Sequence, residues 1–173
     1  MIKLNKKYLI VIIAMLFTSI GFAQEDDVIE EEIEIKETIN SMFSSVIEMD
    51  IDKSIFPITQ GNTHFSEDQK SGILAMLVPS SFENLEKDLE NEQSKEGIKT
   101  LSKGALKTDG NRILFLKQSM DRDGQTYYMF IFAKEHAKDA TIMVTAFYEA
   151  EKDEDYKKYA EKAAKSAKLV EKE

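Results

Sequence analysis

Residues 112–148, RILFLKQSMDRDGQTYYMFIFAKEHAKDATIMVTAFY, decide the fold because they contain three apolar runs in succession. Polar turns follow the first run at Asp121–Gly124 and the second at Lys134–Ala140. Connections this short predict antiparallel neighbours, because a parallel return needs a crossover of about a dozen residues. Each run is rich in β-branched, aromatic and long aliphatic residues, so we predict a meander of three strands: Arg112–Lys117, Thr126–Ala133 and Thr141–Tyr148.

The middle run has no polar face. Met129 and Ile131 point to one side of a strand, and Phe130 and Phe132 point to the other. A strand that is apolar on both faces needs cover on both. We therefore predict an α+β fold, in which helices cover both faces of an antiparallel sheet as an α/β/α sandwich.

Three segments could supply those helices. Helical spacing of apolar residues predicts one from about Glu34 to Met49. Ser80 or Ser81 is a suitable N-cap for a second, which carries Phe82, Leu85 and Leu89 on one face. The third has the most regular pattern, with an apolar face at helical spacing opposite a lysine-rich face. That apolar face consists of Tyr156, Tyr159, Ala160, Ala163, Ala164 and Ala167.

Two further strands are predicted outside the meander. Ile73–Val78 is wholly apolar and precedes Pro79, which is typical of a buried strand that a proline ends. Ile98–Lys107 is weakly patterned and predicts an edge strand interrupted at Gly104. Residues 108–111 follow it as a hairpin turn.

The N-terminal residues have the pattern of an export signal. Lys3, Lys6 and Lys7 precede an apolar run, and Gly21-Phe22-Ala23 matches a cleavage site. The run is shorter than the roughly 20 apolar residues that cross a bilayer, so we expect no stable membrane insertion after cleavage. We predict a signal peptide at residues 1–23, an acidic segment with a helix at 24–60 and one domain at 61–173. The mature protein would then be periplasmic or extracellular.

Charge and composition exclude several classes of protein. The formal net charge is −9, and loss of Lys3, Lys6 and Lys7 with the leader leaves 20 basic against 32 acidic residues, a net −12. Such a field repels phosphate backbones, so nucleic acid is not an expected partner. The chain contains no cysteine, which excludes disulfides, thiolate metal sites and cysteine nucleophiles. The acidic run Gln24–Lys36 is typical of a solvated tail.

The order of these elements resembles the PsbP-like superfamily, which includes DcrB-type periplasmic proteins. The similar features cover about residues 61–169: an apolar strand that ends at Pro79, a helix near Phe82, Asp-Gly turns at 109–110 and 123–124, and a last helix with Ser166 near its end. The resemblance implies an antiparallel sheet between helices. It also implies an accessory, chaperone-like or assembly role without catalytic residues. The acidic segment before Gly61 departs from the pattern and leaves the first strand unassigned.

We predict no catalytic, cofactor-binding or metal-binding residue. His64 and His136 are the only histidines, and we place both in loops, without the converging partners of a metal site or a catalytic triad. Asp121-x-Asp123-Gly124 begins like a calcium loop. Its glycine comes fourth, however, and Phe132 stands where a bidentate glutamate is needed. A hairpin turn accounts for these residues.

An apolar group in the second and third strands could form a ligand-binding or partner-binding surface, although such residues are most often core. Its members are Tyr127, Met129, Phe130, Phe132, Phe147 and Tyr148. Our leading hypothesis is a non-enzymatic, exported, accessory or chaperone-like module that binds a protein or another envelope partner. The alternative is a small-molecule or lipid carrier with an apolar pocket lined by Met129, Phe130, Phe132 and Phe147. A hydrolase ranks third.

Overall fold

The computed structural model describes residues 42, 44–94, 97–108, 112–122 and 124–170. The signal peptide predicted at 1–23, the acidic run Gln24–Lys36 and turn residues 109–111 lie outside this part of the chain. Within it, no helix is both long enough and apolar enough to cross a membrane. The chain order is β1 (Ile47–Glu48), β2 (Ile58–Gln60), β3 (Thr63–Phe65), β4 (Gly72–Val78), α1 (Phe82–Asn91), β5 (Ile98–Lys107), β6 (Arg112–Arg122), β7 (Gln125–Ala137), β8 (Ala140–Glu149), α2 (Asp153–Ser166) and β9 (Lys168–Leu169).

Seven strands form one antiparallel sheet in the order β2-β3-β4-β8-β7-β6-β5. The predicted meander of β6, β7 and β8 lies inside it, and β4 pairs with β8 along its whole length. β1 and β9 form a separate two-stranded pair. The predicted α+β fold with an antiparallel sheet is confirmed.

The meander strands are longer than the apolar runs that predict them. Backbone pairing continues through the polar residues at the end of β6, because each pair satisfies N–H and C=O groups whatever the side chains are. Arg122 pairs with Gln125, and Gly124 has a φ of 76°, the left-handed conformation that a tight hairpin requires. β7 likewise runs to Ala137. His136 therefore lies in a strand, and our prediction of a loop there was wrong.

The β2–β3 hairpin supplies the strands that the sequence left unassigned. Ile58 pairs with Phe65 and Gln60 with Thr63, so the hairpin spans the predicted domain boundary at residue 61. The folded unit therefore begins before that boundary, and Phe56 is already part of the core. His64 lies in β3 and not in the predicted loop.

Alternate residues of β4 belong to two separate clusters of buried side chains. Ile73 and Ala75 lie with the alanines of α2, whereas Leu74 and Met76 lie with Leu85 of α1. Successive strand residues point to opposite faces. We therefore name the two sides of the sheet the α1 face and the α2 face.

Both helices form where the sequence predicts them. Ser81 is the N-cap of α1, and its Oγ accepts a hydrogen bond from the Asn84 backbone N–H at 3.3 Å. Three acidic residues occupy the first turn of α2, where they complement the helix dipole. On the buried side of α2, Ala160, Ala163 and Ala164 allow its backbone to approach the sheet closely.

The end predicted for the first helix and the interruption predicted in β5 were wrong. The helix predicted at Glu34–Met49 lies mostly outside the described residues; Met42 and Ser44 are helical, but Ile47–Glu48 form β1. Ile47 pairs there with Leu169, so a tertiary contact decides its conformation. β5 is continuous through Gly104, and its irregularity lies between Thr100 and Ser102.

Candidate functional site

The six residues that the sequence analysis groups into one surface lie on both faces of the sheet. Met129, Phe130, Phe132 and Tyr148 are at most 3% exposed, so they belong to the core. Tyr127 and Phe147 are half-buried. The prediction of a ligand or partner surface therefore remains open only for these last two.

The pocket predicted for a carrier does not form from its four residues. Met129 pairs with Phe147, which places both side chains on the α1 face. Phe130 and Phe132 belong to the cluster on the α2 face. Because the sheet backbone lies between the two pairs, they cannot line one cavity.

A strip of half-buried apolar side chains crosses the α1 face where β4 begins and β8 ends. Phe65 and Phe147 both pair with Gly72, and their ring centroids are 6.2 Å apart. Tyr127 lies two residues before Met129 and pairs with Met120, so these two side chains share the same face. We call Phe65, Phe147, Tyr127 and Met120 the aromatic strip; all four are partly accessible to solvent.

Gly72 makes room for the centre of the strip. A Cβ atom added to Gly72 would lie 2.7 Å from Cε1 of Phe147 and 3.0 Å from the backbone oxygen of His64. The Phe147 ring thus lies directly over a position that has no side chain. A glycine in a buried strand indicates such a close approach.

A network of charged residues borders the strip; we call Asp68, Lys70, Glu149 and Lys152 the charged rim. Glu149 pairs with Tyr127 across the sheet, and its carboxylate contacts Lys152 Nζ at 2.7 Å and Lys70 Nζ at 3.2 Å. The hydrogen bond from Lys152 holds the pKa of Glu149 below its ordinary value. The hydrogen bond to Glu149 in turn raises the pKa of Lys70. The rim therefore stays ionised across the neutral pH range.

Asp68 is held in place by the turn between β3 and β4. Ser66 Oγ donates to Asp68 at 2.7 Å, and the Lys70 backbone N–H donates to it at 3.0 Å. The hydrogen bond from Ser66 is the main reason why the pKa of Asp68 is lowered. Lys152 Nζ lies 3.9 Å from Asp68 and extends the rim toward this turn.

A second polar network lies on the α2 face and serves the fold. Lys117 Nζ contacts both carboxylate oxygens of Asp153 at 2.6 Å, and Tyr148 Oη donates to the same carboxylate at 2.9 Å. Burial, followed by the hydrogen bond to Asp153, raises the pKa of Tyr148 far above its ordinary value. Tyr148 therefore keeps its proton and is unsuited to acid–base chemistry. The network fixes the first residue of α2 to the centre of the sheet.

The two histidines lie in different strands, His64 in β3 and His136 in β7, with β4 and β8 between them. His64 Nδ1 is 3.1 Å from Thr59 Oγ1 on the neighbouring strand. Burial, and then the charge of Lys53, lower the pKa of His64, so the ring is neutral at pH 7. His136 is exposed near the end of β7. Among the described residues no group of three histidine, aspartate or glutamate side chains is placed to hold a metal ion.

The outer side of α2 carries a shallow, open depression. It is lined by Lys158, Glu161, Lys162, Lys165 and Ser166. Its lysines form ion pairs, such as Lys162 with Asp50 at 3.0 Å and Lys165 with Glu161 at 3.5 Å. Side chains that are exposed and paired in this way are typical of a solvated helix surface.

No family model matches the chain. No curated protein shows significant sequence similarity to it. Solved structures do resemble it: LpqN of Mycobacterium tuberculosis, described as involved in cell envelope biogenesis, is 11% identical with a TM-score of 0.52, over 74% of this chain and 85% of LpqN. At that identity the likeness shows the fold alone.

Two other solved structures are similar at lower TM-scores. PA94 of Pseudomonas aeruginosa, a putative regulator of unknown function, is 13% identical with a TM-score of 0.47, over 75% of this chain and 85% of that one. The PsbP protein of the cyanobacterium Synechocystis, CyanoP, is 7% identical with a TM-score of 0.42, over 88% and 99%. A PsbP protein is among the solved structures that match this chain.

Sequence reasoning missed half of the aromatic strip. Phe65 stands in a stretch dominated by turn residues, and Met120 follows the apolar run of β6. Neither position has a local pattern that predicts a surface role. The alternation of Phe65 with its neighbours in β3 is too short to predict a strand, and only pairing with Gly72 brings it beside Phe147.

Proposed function

We propose that this chain is an exported, non-enzymatic accessory protein that binds a protein partner of the cell envelope through the aromatic strip. The observation that carries the proposal is the strip itself: four apolar side chains that are partly accessible, lie on one face of the sheet and are bordered by ionised groups. Apolar centres with charged borders are typical of protein-binding surfaces.

The polar groups of the molecule support a binding role over an enzymatic one. Glu149 and Lys152 form an ion pair in which each side chain favours the charged form of the other. Tyr148 is held in its protonated form. A general base or acid needs a pKa near the working pH. These groups have pKa values displaced away from neutrality, which suits stable contacts with a partner.

Export rests on the sequence of the first 23 residues, with their lysines, apolar run and Gly21-Phe22-Ala23. An envelope setting is also supported by the shared fold with LpqN, which is described as involved in cell envelope biogenesis. A protein without cysteines in such a location depends on its core for stability, and the two buried clusters supply that core.

The proposed architecture for this role is an α/β/α sandwich. Its support is the division of the core, because Ala163 of α2 and Leu85 of α1 belong to clusters on different faces. In such a sandwich the α2 face is closed by the helix, while the end of the α1 face that bears the aromatic strip stays available to a partner.

Photo-crosslinking in the native cell tests the proposal. A photoreactive phenylalanine analogue at Tyr127, and separately at Phe65, is expected to give the same discrete protein adduct when the cells are irradiated. The matched control is the analogue at Val46, an apolar residue that is 49% exposed outside the strip. This position is expected to give no such adduct.

Two results would contradict the proposal. An adduct formed from Val46 but not from Tyr127 would place the partner elsewhere. Adducts with lipid alone at Tyr127 would instead support a lipid-binding role. Charge reversal in the rim by Lys152→Glu provides a second check, since weakened crosslinking at Tyr127 is expected if the partner's charges complement the rim.

A further inference from the structure

The edge of the sheet at β5 is long, exposed and rich in lysine, although the protein as a whole is acidic. β5 is the last strand in the sheet and pairs only with β6 among the described residues. None of its ten residues is buried. The opposite edge strand, β2, has three residues. Only β5 is therefore long enough to accept a further strand along its free side.

The charge of β5 is opposite to that of the chain. Its sequence, IKTLSKGALK, contains Lys99, Lys103 and Lys107 and no acidic residue, whereas the whole chain carries a net −9. Lys103 pairs with Leu116 and Lys107 with Arg112, so both project from the α1 face. Lys99 pairs with Ser119 and projects from the other face. Cations therefore flank the free backbone edge on both sides.

The second half of β5 has a regular backbone, which a further strand can pair with. The register shift leaves Leu101 opposite no residue and 40% exposed. From Ser102 to Lys107 the pairing with β6 has no further break. At about 3.3 Å per residue this stretch is long enough to pair with a short extended peptide. Lys103 and Lys107 are four residues apart on one face. Their spacing therefore matches that of acidic residues at positions i and i+4 of such a peptide.

We propose that the β5 edge binds an extended acidic peptide of another protein as an added strand. Backbone hydrogen bonds to Ser102–Lys107 supply the pairing, and Lys99, Lys103 and Lys107 select for carboxylates. This surface is separate from the aromatic strip, so the inference goes beyond the proposed function and stands or falls independently of it.

Charge also decides between an acidic peptide and a second copy of this chain. Two β5 strands side by side would bring six lysines together with no acidic residue of either strand between them. Lysines on an edge strand are a common means of preventing pairing between copies of one protein. The same side chains attract an acidic strand. A peptide in which pairs of acidic residues are separated by pairs of β-branched residues places carboxylates on both faces of the added strand, at positions i and i+4 of each, and keeps a high strand propensity.

Lys103 is the least available of the three cations. Its Nζ donates to the backbone oxygens of Glu90 and Glu92 at the end of α1, the latter at 3.1 Å. Its role is therefore partly to tie α1 to the edge. Lys99 and Lys107 are exposed and are the residues to change in a test.

The test measures binding to the mature protein, at low salt, of a fluorescent peptide in which pairs of glutamates are separated by pairs of valines. Fluorescence anisotropy is expected to show saturable binding, which the double variant Lys99→Glu/Lys107→Glu weakens about tenfold or more. The matched control is Lys157→Glu/Lys158→Glu, with the same charge change on exposed positions of α2, and it is expected to retain the affinity within about twofold. The same peptide with lysine in place of every glutamate is expected not to bind.

Amide hydrogen exchange distinguishes strand addition from general attraction of charges. Saturating acidic peptide is expected to slow the exchange of amides in Ser102–Lys107. Equal affinity of both double variants, or binding without protection in β5, would overturn the proposal. So would a wild-type dimer that forms through β5 in sedimentation experiments, because the occupant would then be a second copy.

Discussion

Lys117 and Asp153 join β6 to the start of α2, with Nζ 2.6 Å from each carboxylate oxygen. The lysine side chain is 12% exposed and the aspartate side chain 31% exposed. Lys117 also lies 4.3 Å from the centroid of the Tyr128 ring. The ammonium group of Lys117 thus lies beside a carboxylate and an aromatic ring, which both stabilise its positive charge.

The two partners of this ion pair are expected to respond differently to mutation. Asp153→Asn leaves an almost buried ammonium group without its counter-charge, which should lower the free energy of unfolding by about 3 kcal/mol. Lys117→Met fills the same space, and Asp153 still accepts a hydrogen bond from Tyr148, so a loss of about 1 kcal/mol is expected. Urea unfolding measures both. Lys165→Met, which removes an exposed pair, is the control and should change stability by less than about 0.5 kcal/mol. Equal losses for Asp153→Asn and Lys117→Met would show that burial of the charge does not decide the effect.

The contact between Gly72 and Phe147 predicts an overpacking effect. Gly72→Ala places a methyl group against the Phe147 ring and the His64 backbone, and should lower the free energy of unfolding by about 1–3 kcal/mol. Thermal unfolding followed by circular dichroism measures the loss. Gly104→Ala meets only the Phe115 ring, at 3.2 Å, and should cost less. The double variant Gly72→Ala/Phe147→Leu should recover part of the loss, and no recovery would mean that the strain lies in the backbone.

Close packing of α2 predicts that its buried alanines tolerate no enlargement. Ala163 is completely buried, so Ala163→Leu should destabilise the protein by about 1–3 kcal/mol as α2 is forced away from the sheet. Lys157→Leu introduces the same side chain on the exposed side of the helix and should be nearly neutral. Differential scanning calorimetry compares the two. A neutral Ala163→Leu variant would indicate that the helix packs loosely.

The ionisation of Glu149 predicts part of the stability that the folded protein loses at acidic pH. Its pKa is lowered in the folded state from an ordinary 4.5, so the unfolded chain binds the proton more readily. The stabilisation is therefore complete above about pH 5.5 and is lost as the pH falls through the folded-state pKa. Glu149→Gln should be less stable than wild type at pH 7, and its stability should fall less steeply toward about pH 3. Melting temperatures across this range test it, with Glu161→Gln on α2 as the control. Parallel curves for wild type and Glu149→Gln would contradict the assignment.

Local sequence patterns were sufficient for most of the secondary structure. The three apolar runs around Phe115, Phe130 and Val144 predict the meander, because such runs favour strands and short polar turns leave only antiparallel pairing. The cap at Ser81 and the alanine spacing of α2 predict the two helices in the same way. Strand ends were underestimated, since pairing at residues such as Ala137 follows the backbone of the neighbouring strand rather than the side-chain pattern.

The candidate site could be predicted only in part. Tyr127 and Phe147 were found from composition, but the same reasoning added Phe130 and Phe132, because a strand that is apolar on both faces does not indicate which face remains accessible. Phe65 and Met120 were missed, since their surroundings in the sequence are polar.

By itself, the sequence determined the antiparallel meander and the two helices, because these elements depend on neighbours within a few residues. The acidic, cysteine-free composition is likewise a property of the sequence alone. Only the tertiary structure decided that Phe65 lies beside Phe147, that Ile47 lies in a strand, and that β2 forms an edge of the sheet. These features depend on the order of strands and on their register, which are set by contacts between residues far apart in the chain.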